Sequence, residues 1–131
     1  MSWLCLDTHV PKQARIGLLG TDGWIAYRDI EGRANRVLFA LAELHRGATE
    51  SITGVCVVEG PGSFSSIRTG VLYANLYARL QKLPLVGISP ERWQDERALA
   101  QDLFAGRLPI RDYLAPVYDQ EPNITIPTPH P

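Results

Sequence analysis

Seven consecutive residues, Ile52 to Val58, read Ile-Thr-Gly-Val-Cys-Val-Val, and Glu59-Gly60-Pro61-Gly62-Ser63-Phe64 follows at once. A nearly continuous β-branched run predicts a strand covered on both faces. The Gly-Pro-Gly cluster then closes the strand in a tight loop. Ser65 to Lys82 has helical periodicity, with Ser65 or Ser66 as its N-cap. Leu85 to Ile88, reached through Pro84, is a further short strand. A strand, a helix and a strand in this order pair in parallel through a right-handed crossover.

The other elements attach to this unit. Ser2 to Asp7, Ala14 to Leu19 and Trp24 to Tyr27 are strand candidates, and Gly20-Thr21-Asp22-Gly23 closes a hairpin between the last two. Arg33 to Arg46 is a helix by the recurrence of Val37, Leu38, Leu41, Ala42 and Leu44, with Gly47 as C-cap. Pro90 opens a helix over Glu91 to Phe104, and Gly106 stops it. From Leu108 the pattern is irregular. Five of the ten prolines lie between Pro116 and Pro131, so the end reads as an extended tail. The expected organisation is a main unit over 1–89, a helix and short return segment over 90–118, and a tail over 119–131. Three strands in a meander followed by strands joined through helices give an α/β fold: a mixed five-stranded sheet with packed helices, close to the ribonuclease-H-like half of an actin-type fold.

Composition narrows the function classes. The 131 residues carry 13 Lys and Arg against 14 Asp and Glu, a formal net charge of −1. Such a chain lacks the overall basic footprint of an autonomous nucleic-acid binder, although a local basic patch is allowed. Hydrophobic content of 45% with 21% charged residues is globular. No apolar run approaches the roughly 20 residues that span a bilayer, and Asp7 and Lys12 interrupt any secretory leader early. Cys5 and Cys56 sit inside apolar runs and read as reduced core thiols of a cytoplasmic protein.

The motifs carry little chemistry. The loop Gly60-Pro61-Gly62-Ser63-Phe64 precedes a helix whose first N–H groups offer an anion site, or its glycines serve only a sharp turn. No Lys-Ser/Thr pair follows, so it is not a Walker loop. Asp7 and Thr8 end the first strand, where an actin-type fold faces nucleotide phosphate and Mg²⁺; alternatively Asp7 bonds nearby backbone N–H groups. Asp22 and Asp29 fall at a hairpin tip and a strand end. His9, His45 and His130 are isolated from one another and from cysteine, so no metal site is expected. Ser63 lacks a Gly-x-Ser-x-Gly elbow. No cofactor and no catalytic set is expected.

The helices carry more signal. On a wheel of about 100° per residue, Arg68, Asn75, Arg79 and Lys82 share one sector of the 65–82 helix. Ile67, Gly70, Val71, Ala74 and Ala78 form one apolar side, and Leu72, Leu76, Leu80 and Leu83 form another beside Tyr73 and Tyr77. A helix on one sheet needs a single apolar stripe. Phe39 likewise lies outside the stripe of the first helix. Part of this surplus is expected against the neighbouring and last helices, and part against another chain. The candidate interface is Arg36, Phe39, Leu72, Tyr73, Leu76, Tyr77 and Arg79.

The stretch Val57 to Gly70, Val-Val-Glu-Gly-Pro-Gly-Ser-Phe-Ser-Ser-Ile-Arg-Thr-Gly, resembles the signature loop and helix start of the TsaB (YeaZ) family. Leu4-Cys5-Leu6-Asp7-Thr8, Pro84-Leu85-Val86-Gly87-Ile88-Ser89 and Pro116-Val117-Tyr118 resemble further family segments. The resemblance implies a degenerate actin-like protein that serves as the non-catalytic partner of TsaD, which transfers a threonylcarbamoyl group to an adenosine of tRNA. It implies pairing with a TsaD-like subunit through the helices, with the ATPase TsaE joining the complex and tRNA contacted only indirectly; whether the chain alone forms a homodimer is left open by the sequence. Gly60, Gly62, Ser63, Phe64, Arg68 and Gly70 match the signature, and Asp7 and Thr8 match a vestigial phosphate site.

The departures are specific. Ser65-Ser66 replaces Thr-Gly, His9 replaces Ser, Arg33 replaces His, and Phe39 stands where the family has Pro. Leu72, Leu76 and Leu80 replace small residues, which moves a facing helix toward about 10 Å rather than 8 Å. The second lobe of the family is expected to be missing, giving a minimal one-lobe member. The rival readings are a degenerate nucleotide-binding domain and a homodimeric binding protein with another role. The family was once grouped with glycoproteases, but no protease chemistry is visible.

Overall fold

The computed structural model describes residues 1–32 and 34–118. Arg33 and the expected tail over 119–131 lie outside the described residues. Five strands, β1 (Ser2–Asp7), β2 (Gln13–Gly20), β3 (Gly23–Glu31), β4 (Ile52–Val58) and β5 (Leu85–Ile88), form one sheet in the order β3-β2-β1-β4-β5. β1, β2 and β3 pair antiparallel, whereas β1–β4 and β4–β5 are parallel. This is the expected mixed sheet.

Side-chain alternation assigns the two faces. Helices α1 (Ala34–Gly47) and α2 (Phe64–Gln81) cover one face, where Arg28 of β3 pairs with Glu43 of α1. The short α3 (Pro90–Trp93) and α4 (Glu96–Phe104) cover the other. There Trp93 stacks on Trp24 with ring centroids 5.2 Å apart and lies 5.2 Å from the Arg15 guanidinium. A single core joins the layers, from Leu4, Leu6, Val55 and Val57 to Ile67, Val71, Leu99 and Leu103. Val55 to Val58 are all fully buried, as the apolar run demands. Cys5 and Cys56 face each other across the β1–β4 pair as free, buried thiols. Burial pushes the Cys5 thiol well above its usual range.

Several local expectations need correction. The N-cap of α2 is Ser63 rather than Ser65 or Ser66, and its side chain makes no capping bond. Ser66 and Thr69 instead turn their hydroxyls back onto carbonyls of the preceding turn. Gly47 is the last residue of α1, without the positive φ of a glycine cap. The expected helix over Glu91 to Phe104 is two helices. Asp95 leaves helical geometry at φ −108° and accepts a bond from the Ala98 N–H at 3.1 Å, so a new cap replaces continuation. β3 runs on to Glu31, so Asp29 lies within a strand, opposite Arg15. The last helix packs on the far face of the sheet and covers none of the surplus apolar surface of α2.

The return segment is tied down by backbone bonds. Arg111 N–H donates to Leu85 O at 2.8 Å and Val117 N–H to Glu59 O at 2.7 Å. Between them, the Asn75 amide of α2 donates to Leu114 O and accepts from Leu114 N–H, both at 2.9 Å. The polar sector of α2 is thus partly used inside the chain.

Asn75→Ala is expected to leave both Leu114 groups without their partner. It should cost about 1–3 kcal/mol in urea denaturation and raise amide exchange in 108–118 first. A thiol reagent is expected to label Cys5 and Cys56 only as fast as the chain unfolds; fast labelling of the native protein contradicts this packing.

Candidate functional site

Two regions gather the sequence-predicted residues: the carboxyl ends of the parallel strands and the outer face of the helices.

At the strand ends, Asp7 is buried with only 3% of its side chain exposed, yet it is fully partnered. Its Oδ1 accepts from the His9 N–H at 3.0 Å and lies 2.6 Å from His9 Nδ1. Its Oδ2 pairs with the Arg15 guanidinium, whose Nε is 2.9 Å away. The β1–β2 register sets Arg15 directly opposite Asp7, and the β2–β3 register sets Asp29 on the other side of Arg15. Thus a cation of the chain already occupies the carboxylate that an actin-type fold would turn to a metal. Thr8 is also buried, and its hydroxyl donates to Ser66 O at 2.7 Å. Thr8 therefore pins α2 to β1 instead of facing a ligand.

The signature loop is filled by its own chain. Gly60 adopts φ +124°, and a Cβ there would overlap the Val117 carbonyl. A Cβ on Gly62 would come 2.8 Å from His9 Cβ, and one on Gly70 would overlap the Thr8 hydroxyl. Ser63 N–H donates to His9 O at 3.1 Å, and the Phe64 ring packs on Tyr118 at 4.6 Å. The three glycines are there for close approach. Arg68 stands exposed near the start of α2. Neither Arg15 nor His9 is legible in the sequence as a partner of Asp7, because their meeting depends on strand register and a loop turn. The one available signal was a cation on the strand after a buried Asp.

On the helices, Ile67, Val71, Ala74 and Ala78 are buried against the sheet. Leu72, Leu76 and Leu80 are exposed by 51%, 49% and 77%, and Phe39 by 68%. Leu38 of α1 adds a further exposed apolar residue at 50%. Arg36 and Arg79 are exposed, and Tyr73 is half-buried. Tyr77 departs from the expectation. It is buried, and its hydroxyl lies 2.7 Å from His45 Nδ1 on α1. Burial also raises the Tyr77 hydroxyl above its usual value. Tyr77 holds α1 against α2 and is not part of the open face.

This architecture is that of a ribonuclease-H-like single lobe, the half-unit of actin-like proteins. Residues 25–97, more than half of the chain, match the family model described as TsaD, tRNA N6-adenosine threonylcarbamoyltransferase, and the chain belongs to that family. No curated protein matches the chain. Among solved structures it is similar to YeaZ from Pseudomonas aeruginosa, with TM-score 0.56 and 22% identity over 67% of this chain and 43% of that one. A second structure, an uncharacterized protein with similarity to peptidase YeaZ from the same organism, gives TM-score 0.58 at the same identity and coverage. The chain therefore spans less than half the length of these structures. The expected TsaB (YeaZ) likeness holds in fold, and the match to the family model described as TsaD fits it.

Arg15→Gln is expected to leave Asp7 buried without its charge partner. Because Arg15 is itself partly exposed, the cost should be about 2–4 kcal/mol, read as a fall in the denaturation midpoint. Unchanged stability would show that the pair contributes nothing.

Proposed function

We propose that this chain is a non-catalytic subunit of a tRNA threonylcarbamoyladenosine assembly in the cytoplasm, docking α1 and α2 against a TsaD-like catalytic subunit. The observation that carries the reading is the second apolar side of α2: Leu72, Leu76 and Leu80 stand open in a line, with Phe39 of α1 also open. A small domain gains by burying such a face against a partner. Tyr73 adds a large side chain with a polar tip at its margin.

The strand-end site supports a role without catalysis. Asp7 is engaged by Arg15 and His9, and the glycine loop is packed by His9, Val117 and Tyr118. A nucleotide phosphate or its metal would have to displace an ion pair and a packed backbone. The docked chain would act by holding its partner in an active arrangement, with tRNA bound by the partner and TsaE joining the complex.

Co-expression with a TsaD-like subunit is expected to yield a one-to-one complex. Leu76→Asp should abolish it while leaving the melting temperature within a few degrees, because Leu76 is half exposed. A folded Leu76→Asp, Tyr73→Ala variant that still binds fully would sink the interface. Calorimetry with Mg-ATP is expected to show no micromolar binding; Asp7-dependent binding would favour the nucleotide-site reading.

A further inference from the structure

The charges around the open helix face are one-sided. Arg36 and Arg46 lie on α1, and Arg68 and Arg79 lie on α2. Lys82 caps the C-terminal end of α2 in left-handed geometry. Against these stands one carboxylate on the two helices, Glu43, and Arg28 of β3 already pairs with it. Among the described residues, Arg46, Arg68 and Arg79 make no ion pair. The opposite layer differs: α4 opens with Glu96, and Asp102 there is shared by Arg92 and Arg107. Arg97 of α4 also makes no ion pair among the described residues, but α3 and α4 carry Glu91, Glu96 and Asp102 against Arg92 and Arg97, so a nearly neutral chain has set its excess of cations on the α1–α2 side.

On the helical wheel, Arg68 and Arg79 fall beside the Leu72-Leu76-Leu80 line, on the flank away from Tyr73. Arg46 lies on the same outer side of α1 as Phe39. The apolar centre is therefore bordered by cations on both helices.

We infer that this face selects a different protein chain presenting an apolar helical surface bordered by carboxylates, and that the same charges oppose its pairing with a second copy. This deepens the docking reading above and rests on it. A two-fold dimer through the face is self-complementary, so each copy would bring its own cationic border to the other's. Like charges brought together at an interface suppress the wrong partner, and opposite charges speed and select the right one. Leucines at the centre favour a protein surface over nucleic acid, whose readers place aromatic and polar groups between their cations.

The test uses the full chain, the TsaD-like subunit as probe, and a tRNA transcript as a separate probe. The double reversal Arg68→Glu, Arg79→Glu is compared with Arg97→Glu, Arg107→Glu on the far layer, which makes the same change in net charge. All variants are first checked for a native circular dichroism spectrum and melting transition. The helix-face reversal is expected to weaken subunit binding at least tenfold at about 50 mM salt, and the far-layer control less than about threefold. Raising salt to about 300 mM should weaken the native complex and narrow the gap between variants. In sedimentation the native chain alone should be largely monomeric at low salt, and the reversed chain should self-associate no less readily.

A tight complex that ignores both salt and the helix-face reversal would overturn the charge selection while leaving the docking face standing. Absence of any complex would overturn both. A tight low-salt homodimer broken by Leu76→Asp would overturn the discrimination against self. Binding of tRNA by the chain alone, lost on helix-face reversal while subunit binding persists, would assign the cations to nucleic acid and overturn the inference.

Discussion

Everything in this molecule is arranged around the need to bury β4 from Gly54 to Val58. Its run from Val55 to Val58 has no exposed side chain, and it lies between β1 and β5 with both edges paired. Such a strand must be roofed on both faces. α2 covers one face of β4 through Ile67, Val71, Ala74 and Ala78, and on the other side of the sheet α4, packed on β2 and β3, adds Leu99 and Leu103 to the same core. Because the last helices are committed to the far face, nothing in the described chain is left to cover the outer side of α2. The open leucines are thus a consequence of the layer count as much as of the helix's own sequence.

The same economy governs the strand ends. In an open α/β sheet the carboxyl ends of parallel strands are where ligands usually sit. Here that ground is taken by the chain's own groups: a guanidinium on Asp7, an imidazole beside it, and a return segment against Gly60. A buried carboxylate needs a compensating partner, and Arg15 supplies one from the adjacent strand. Trp93 then lies against the guanidinium, so the ion pair is also a packing contact between sheet and α3. What would have been a reactive corner has become part of the core's boundary.

Much of this was legible in the residues. All five strands were foreseen, because apolar runs bounded by Gly and Pro are strong local signals. The second apolar side of α2 was legible from periodicity alone. The break at Asp95 was not, since a single capping side chain outweighed an otherwise continuous helical pattern. Tyr77 departs from the open face for a related reason. Its wheel position sits at the border of two apolar sectors, and only the approach of α1, with His45 in reach of its hydroxyl, decides which way it counts. Asn75 looked like part of a solvated polar sector and is instead the clamp on Leu114.

The division follows the range of the forces involved. The sequence by itself determined the element types, the mixed sheet, the burial of both cysteines and the existence of surplus apolar surface, because periodicity and turn chemistry act over a few neighbouring residues. Only the tertiary structure decided that Arg15 neutralises Asp7, that Thr8 and Gly70 meet, that Tyr77 turns inward, and that α3 and α4 leave the leucine line open. Those outcomes depend on strand register and on which face of the sheet a late segment chooses, and both are settled by contacts between residues far apart in the chain.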